Sequence, residues 1–206
     1  MGKLNVALLC GGVSSEREVS IKGGEQVYEA LDKEKYQVSR YDPATDLKRL
    51  VSDAQGIDVA FIVLHGRWGE DGTVQGLLDL LNIPYQGSGV LGSALAMDKL
   101  LSKRLYQKAG LRVPPFDVVE KGETVEPERF VRSPGYPLIV KPRHGGSSVG
   151  TNIISEPDQL PEAVREALEF DTSAMVEAYI QGTEITGAVI GNEGLQHLPV
   201  VEIVPP

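Results

Sequence analysis

Lys141 closes a short apolar run, Leu138-Ile139-Val140, and is followed by Pro142-Arg143-His144-Gly145-Gly146-Ser147-Ser148-Val149-Gly150. These residue types suit an anion. Glycines let the backbone approach a ligand and turn successive N–H groups toward it, and the lysine adds a mobile positive charge. The pattern predicts a phosphate cradle between two strands, the second running from Val149 to Ile154. It is not a Walker A loop, because no Gly-Lys-Ser/Thr follows the glycines and no helix opens there. A hairpin with a surface lysine is the plain alternative.

Three further segments carry unusual chemistry. Gly11-Gly12-Val13-Ser14-Ser15-Glu16-Arg17-Glu18-Val19-Ser20 follows the first apolar run. Read locally, serine followed by acids is how helices ordinarily begin, so capping is the first reading. The functional reading aims Glu16 into a crevice to bind an ammonium group. His65-Gly66-Arg67-Trp68-Gly69-Glu70-Asp71-Gly72 directly follows another apolar run. A plain connector has no need of histidine, arginine and two acids there, although His65 could be a hydrogen-bonded structural residue and Trp68 a packing one. Gly87-Ser88-Gly89-Val90-Leu91-Gly92 matches the dinucleotide fingerprint. It sits after the fourth strand rather than in the first βαβ unit, and no acid closes a second strand about twenty residues on. The helix it opens brings Asp98 and Lys99 forward, and Lys99 is a second candidate phosphate ligand.

Alternating elements must position these loops. Leu4–Leu9, Val38–Tyr41 and Val59–Leu64 read as strands, with a fourth beginning at Pro84-Tyr85. Helical patterns cover Glu16–Leu31, Leu47–Ala54, Thr73–Leu81 and Ser93–Ala109. Strand–helix repeats of this length imply a parallel sheet with helices on both faces and a ligand at the carboxyl ends of the strands. After the Val113-Pro114-Pro115 linker the style changes. Strands at Phe116–Val119, at the Lys141 hairpin, at Ala174–Ile180 and at Glu184–Ile190 accompany helices at Glu126–Val131 and Pro157–Phe170, which predicts an antiparallel α+β unit. A last strand-like segment runs from His197 to Val204 before Pro205-Pro206.

Bulk properties narrow the function. A chain of 206 residues exceeds one domain of about 150 residues. Its net charge of −9 argues against a nucleic-acid partner, but a phosphate site needs only local positive groups. The single Cys10 cannot form an internal disulfide, which suits the cytoplasm. No run approaches the ~20 apolar residues of a membrane span, and no signal peptide is read at Met1-Gly2-Lys3-Leu4-Asn5.

The segments Gly11-Gly12-x-Ser14-x-Glu16-x-x-Val19-Ser20, His65-Gly66-x-x-Gly69-Glu70-Asp71-Gly72, Gly87-Ser88-Gly89, Met97-Asp98-Lys99, and Val140-Lys141-Pro142 with Gly146-Ser147-Ser148-Val149-Gly150, in this order, resemble the D-alanine–D-alanine ligases of the ATP-grasp superfamily. The resemblance implies an α/β N-terminal domain, Rossmann-like with a parallel sheet, over residues 1–96. An α+β ATP-grasp domain would follow over 97–184. Residues 185–206 would begin a C-terminal ATP-grasp domain whose remainder is absent. It implies an enzyme that phosphorylates one D-alanine with ATP and lets the amine of a second attack the acyl phosphate, for peptidoglycan synthesis in the cytoplasm.

Lys99 and Lys141 would contact the ATP phosphates, under a loop including Gly145 and Gly146. Glu16 would bind the first D-alanine's ammonium, with Ser147 hydrogen-bonded to it, and His65, Glu70 and Ser148 would line the substrate pocket. Glu177, the Ala178 carbonyl and the Ile180 amide would meet adenine, and Glu184 the ribose. Mg2+ (or Mn2+) is implied, with its ligands beyond residue 206, so the 206-residue chain alone is expected to be inactive. A homodimer is also implied. The readings left open are a D-alanine–D-lactate or other ATP-grasp ligase, a dinucleotide oxidoreductase, and a non-catalytic nucleotide-binding module.

Overall fold

The computed structural model describes residues 2–204. Strand β1 (Leu4–Leu9) lies between β2 (Tyr36–Tyr41) and β3 (Val59–Ile62), and both pairings are parallel. A central parallel strand is covered on both faces, which is why β1 reads as a continuous apolar run. Ala7 and Leu9 share one core with Leu50 of α2 (Leu47–Asp53) and with Val74 and Leu78 of α3 (Thr73–Leu80). The alternate positions face α1 (Arg17–Ala30), where a methyl built on Gly24 would stand 2.6 Å from Cys10 Cβ. The fourth strand expected at Pro84-Tyr85 reduces to a single parallel bridge between Tyr85 and Ala60.

The helix expected over Ser93–Ala109 is two helices, α4 (Val90–Met97) and α5 (Lys99–Lys108). Asp98 separates them in an extended conformation, φ −90° and ψ 100°, and its carboxylate accepts the Leu101 amide at 3.0 Å. Aspartate is a favoured N-cap, so the break was written in a residue type that the apolar periodicity overrode.

The second sheet is antiparallel, in the order β4 (Phe116–Glu120), β7 (Ser173–Ala178), β5 (Leu138–Pro142), β6 (Asn152–Ile154). Helices α6 (Glu128–Arg132) and α7 (Leu160–Phe170) accompany it. Leu160, Ala163, Val164 and Ala167 recur at helical spacing and pack on Leu138, Val140, Ala174 and Val176. Side chains alternate across a strand, so Lys141 and Glu177 stand on the opposite face, over which α5 lies with Lys103 paired to Glu177.

Two expected strands are shorter. β6 begins at Asn152 rather than Val149, because residues 147, 148 and 150 adopt left-handed conformations that no strand can hold. β7 ends at Ala178, with Tyr179 and Ile180 exposed beyond it. The segment Glu184–Ile190 splits into β8 (Ile185–Thr186) and β9 (Val189–Ile190). These pair with β11 (Val201–Glu202) and β10 (Gln196–His197) in two short exposed ribbons. Pro205 and Pro206 lie outside the described residues.

Leu138 is fully buried where α7 meets the second sheet. Leu138→Ala should therefore lower the unfolding free energy by about 2–5 kcal/mol in urea titrations. A loss well under that would mean the sheet face is not a packed core.

Candidate functional site

The first glycine loop is built around Asp42. Gly11 takes φ +93°, and a methyl built there would stand 2.6 Å from the Asp42 carboxylate, so only glycine fits without strain. The Gly12 amide donates to Asp42 Oδ1 at 2.9 Å, and Arg17 pairs with Asp42 Oδ2 at 2.6 Å while donating to the Gly12 carbonyl at 2.7 Å. From beneath, Ser20 Oγ accepts the Gly11 amide and donates to the Val63 carbonyl. The loop is thereby fixed to β1, β2 and the end of β3 before it delivers Glu16.

Glu16 occupies the N-cap position of α1, yet its side chain accepts nothing from the helix's first turn. This corrects the local reading of Glu16 as a cap. Its carboxylate reaches across to accept the Ser147 hydroxyl, 131 residues away. A methyl on Gly66 would stand 3.1 Å from Glu16 Oε2, and one on Gly146 3.9 Å. The carboxylate thus lies where the loops after β1, β3 and β5 converge.

The loop after β3 is shaped by its own acids. Glu70 Oε2 accepts the Gly66 amide at 2.7 Å, and Asp71 accepts the amides of Trp68 and Thr73 at 2.9 and 3.0 Å. Burial raises the Asp71 pKa, but these bonds outweigh it and hold the carboxyl below its ordinary value.

On the opposite wall, Asp98 and Lys99 at the start of α5 grip the base of the third loop. Arg143 forks onto Asp98, Nε at 2.9 Å and Nη2 at 2.5 Å. The Lys99 amide donates to the Arg143 carbonyl at 3.2 Å. Lys99 Nζ donates to the carbonyls of Gly145 at 2.7 Å and Pro142 at 3.1 Å. His144 is held by Asp171, which accepts its amide at 2.8 Å and lies 2.9 Å from Nδ1. The tip beyond is exposed, with Gly145 at φ +93°, Ser147 at +52°, Ser148 at +57° and Gly150 at +65°. A left-handed serine costs roughly 1–3 kcal/mol. Two in succession mark a loop held in shape by its surroundings.

Beneath Lys141 lies Glu177. Its side chain is only 6% exposed, and both oxygens meet lysines: Oε1 meets Lys141, and Oε2 meets Lys103 at 2.5 Å. Burial opposes ionisation of Glu177, but the two lysines outweigh it and keep its carboxyl below the ordinary range. Lys99 shows the reverse. Burial, then the neighbouring Lys141 charge, pulls its ammonium below the usual lysine value.

These loops enclose a cavity of about 730 Å³, lined by Glu16, Lys99, Lys141, Gly145, Gly146, Ser147 and Ser148, among others. Seven of the residues singled out from sequence therefore share one space. His65 is half-buried beside Gly66, and Glu70 is spent on the Gly66 amide; neither lines the cavity. Glu177 sits below the floor, the Ala178 amide donates to the Pro115 carbonyl at 2.9 Å, and Ile180 and Glu184 are exposed beyond β7. The lining also holds Arg67, Asp71, Met97 and His144, which the sequence motifs contained without a role of their own, and Asp171, which sequence reasoning missed. That reasoning also missed Lys103, one helical turn after Lys99 on the same face of α5, a spacing that could have found it.

Chemically, two lysines and a run of loop amides can hold an anion beside a carboxylate that can hold an ammonium. Among the described residues no group of three or more His, Cys, Asp or Glu side chains is arranged to hold a metal ion, so the donors present do not fit one. Among them, too, no helix is long and apolar enough to cross a membrane.

Two family models match the chain: the D-ala D-ala ligase N-terminus over residues 5–51 and 40–88, and the D-ala D-ala ligase C-terminus over 105–206. A D-alanine–D-alanine ligase of Syntrophobacter fumaroxidans is 57% identical over 98% of this chain and 65% of its own length. One from Desulfotalea psychrophila is 53% identical over 98% of this chain and 63% of its own. The chain thus spans a little under two thirds of these curated relatives. The solved D-alanine–D-alanine ligase of Bacillus anthracis, in complex with ATP, superposes with a TM-score of 0.84 at 36% identity, over 98% of this chain and 67% of that one.

The Asp98–Arg143 fork gives the site a measurable signature. Burial raises the Asp98 pKa, but Arg143 and the Leu101 amide outweigh it, bringing the carboxyl from 3.8 down to about 2. A lowered folded-state pKa means stability that is complete above the unfolded value and lost as the pH falls through the folded one. In denaturant titrations at stepped pH, the stability gap between wild type and Asp98→Asn should therefore narrow as the pH falls from 3.8 toward about 2. A gap that stays constant would refute the fork's electrostatic role.

Proposed function

Because the chain belongs to the D-alanine–D-alanine ligase family, we propose that it serves the ATP-dependent joining of two D-alanines, through a D-alanyl phosphate, for peptidoglycan synthesis. One observation carries the reading: the Glu16–Ser147 contact and the Lys99–Lys141 pair open on the same cavity. In this reading Lys99, Lys141 and the loop from Gly145 to Ser148 hold the triphosphate. Glu16 holds the ammonium of the first D-alanine, which turns that amino acid's carboxylate toward the phosphates.

A carboxylate oxygen then attacks the γ-phosphorus and ADP leaves. The amine of the second D-alanine attacks the acyl carbon, phosphate leaves, and the amine's proton is lost to solvent or a base. Such transfer depends mainly on positioning and charge stabilisation. The acyl phosphate must also be kept from water, a task suited to the tip at Ser147 and Ser148, while Glu70 fixes the facing loop through the Gly66 amide, with His65 beside it. Adenine would lie along the end of β7 at Glu177, Ala178 and Ile180, with the ribose at Glu184. Mg2+ (or Mn2+) belongs to the same reading, and would neutralise charge on the phosphates that Lys99 and Lys141 hold.

The division at residues 1–96, 97–184 and 185–206 belongs to the same reading, supported by two separate cores. So does a homodimer, supported by Leu80 and Leu91, which are 84% and 72% exposed on α3 and α4. We place the reaction in the cytoplasm, where ATP is available.

The test is phosphate release from ATP by the full-length protein, because the 206-residue chain alone is expected to be inactive. D-alanine should stimulate it and L-alanine should not. Equal rates with either amino acid, or with none, would overturn the reading. Glu16→Gln keeps the acceptor for Ser147 but removes the charge facing an ammonium. Its apparent KM for D-alanine should rise about tenfold or more, the scale of one charge-assisted hydrogen bond. Its melting temperature should hardly move, because Glu16 makes no capping bond. An unchanged KM with a lowered melting temperature would return Glu16 to a structural role.

A further inference from the structure

We propose that Lys103 is a positioning residue for the phosphate cradle: it holds the charge of Glu177 so that Lys141 can leave that carboxylate for a phosphate. The inference rests on the nucleotide reading above and gives that site a part it did not have. Glu177 is one carboxylate shared by two lysines, and its burial is deeper than theirs, 6% exposed against 12% for Lys103 and 20% for Lys141. Lys141 lines the cavity, whereas Lys103 and Glu177 do not. Lys141 therefore faces Glu177 on one side and the cavity on the other. Lys103 faces Glu177, with its ammonium 5.2 Å from the centre of the Phe116 ring.

Consider the same site without Lys103. The Glu177–Lys141 pair would then be private, and drawing Lys141 toward an anion would strand a buried carboxylate. Breaking a buried pair by removing one partner is strongly unfavourable, so Glu177 would compete with the phosphate for Lys141. With Lys103 in place the carboxylate keeps a partner whichever way Lys141 turns. The charge count agrees. Lys99, Lys103 and Lys141 against Glu177 leave two positive charges, and Lys99 and Lys141, the two lysines in the lining, are where an anion can use them. The helix supplies the spacing. Lys99 and Lys103 stand four residues apart on α5, so one helix face sends one lysine to the cradle and the other to its counter-ion.

The experiment is calorimetric titration of a non-hydrolysable ATP analogue with magnesium into wild type, Lys103→Met, Lys103→Arg, Glu177→Gln, and the double variant Lys103→Met with Glu177→Gln. Lys103→Met keeps the stem and should weaken binding by on the order of tenfold. Lys103→Arg should keep most of the affinity. In the Glu177→Gln background Lys103→Met should cost little further affinity, because no buried carboxylate remains to hold Lys141, and a purely structural role for Lys103 does not foresee that loss of effect. Melting curves identify a single variant that fails to fold, and the arginine and double variants then decide the matter. Unchanged affinity in Lys103→Met, or a loss on the Glu177→Gln background as large as that on wild type, overturns the proposal. A wild type that binds no analogue overturns the nucleotide reading itself, and this proposal with it.

Discussion

Positive charge gathered around an anion site repels itself while the anion is away. Lys99 and Lys141 both line the cavity, and the Lys141 charge, after burial, is what pulls the Lys99 ammonium below its ordinary value. Each is held by a different device. Lys99 is cradled by backbone carbonyls at the base of the loop, while Lys141 is held by a buried carboxylate that a second lysine shares. In a chain with a net charge of −9 the positive field is local. It is made by a strand, a helix N-terminus and a loop, not by composition.

The elements around that cluster are tied to each other as much as to any ligand. Asp98 caps α5, breaks the helix before it, and receives the Arg143 fork from the end of β5. The base of the glycine loop is consequently pinned twice, by Arg143 on Asp98 and by His144 on Asp171. Its tip carries two serines in left-handed conformations and is tethered by Ser147 to Glu16. A methyl on Gly150 would stand 2.6 Å from the Phe170 ring, so the return of the loop to β6 also admits only glycine. The strain at the tip is thus held by its tether to Glu16, and the root by hydrogen bonds.

The parallel sheet contributes the other half of the site in the usual way for an open α/β sheet, at the carboxyl ends of its strands. The loops after β1 and β3 leave from neighbouring strands and meet at the Glu16 carboxylate. Neither loop makes a site alone. Glu16 meets Ser147 only because the second sheet presents that serine across the gap.

Much was legible in the residues. Apolar runs and helical spacing gave the parallel and antiparallel sheets, and glycine, serine and lysine in sequence marked a loop that lines the cavity. Local chemistry suffices there, because glycine conformations and side-chain alternation act over a few residues. Whether the Glu16 side chain caps α1 was not legible, since both readings require the same residue at the same helix end; that it turns away to Ser147, 131 residues on, appears only in the fold. Likewise Asp171, Arg143 and Lys103 are ordinary charged residues in sequence, and they acquire roles from the partners that folding places beside them. The residue types of the site were determined locally. The pairing of its charges is a long-range property, because a carboxylate's burial and its counter-ions exist only once β7, β5 and α5 have packed together.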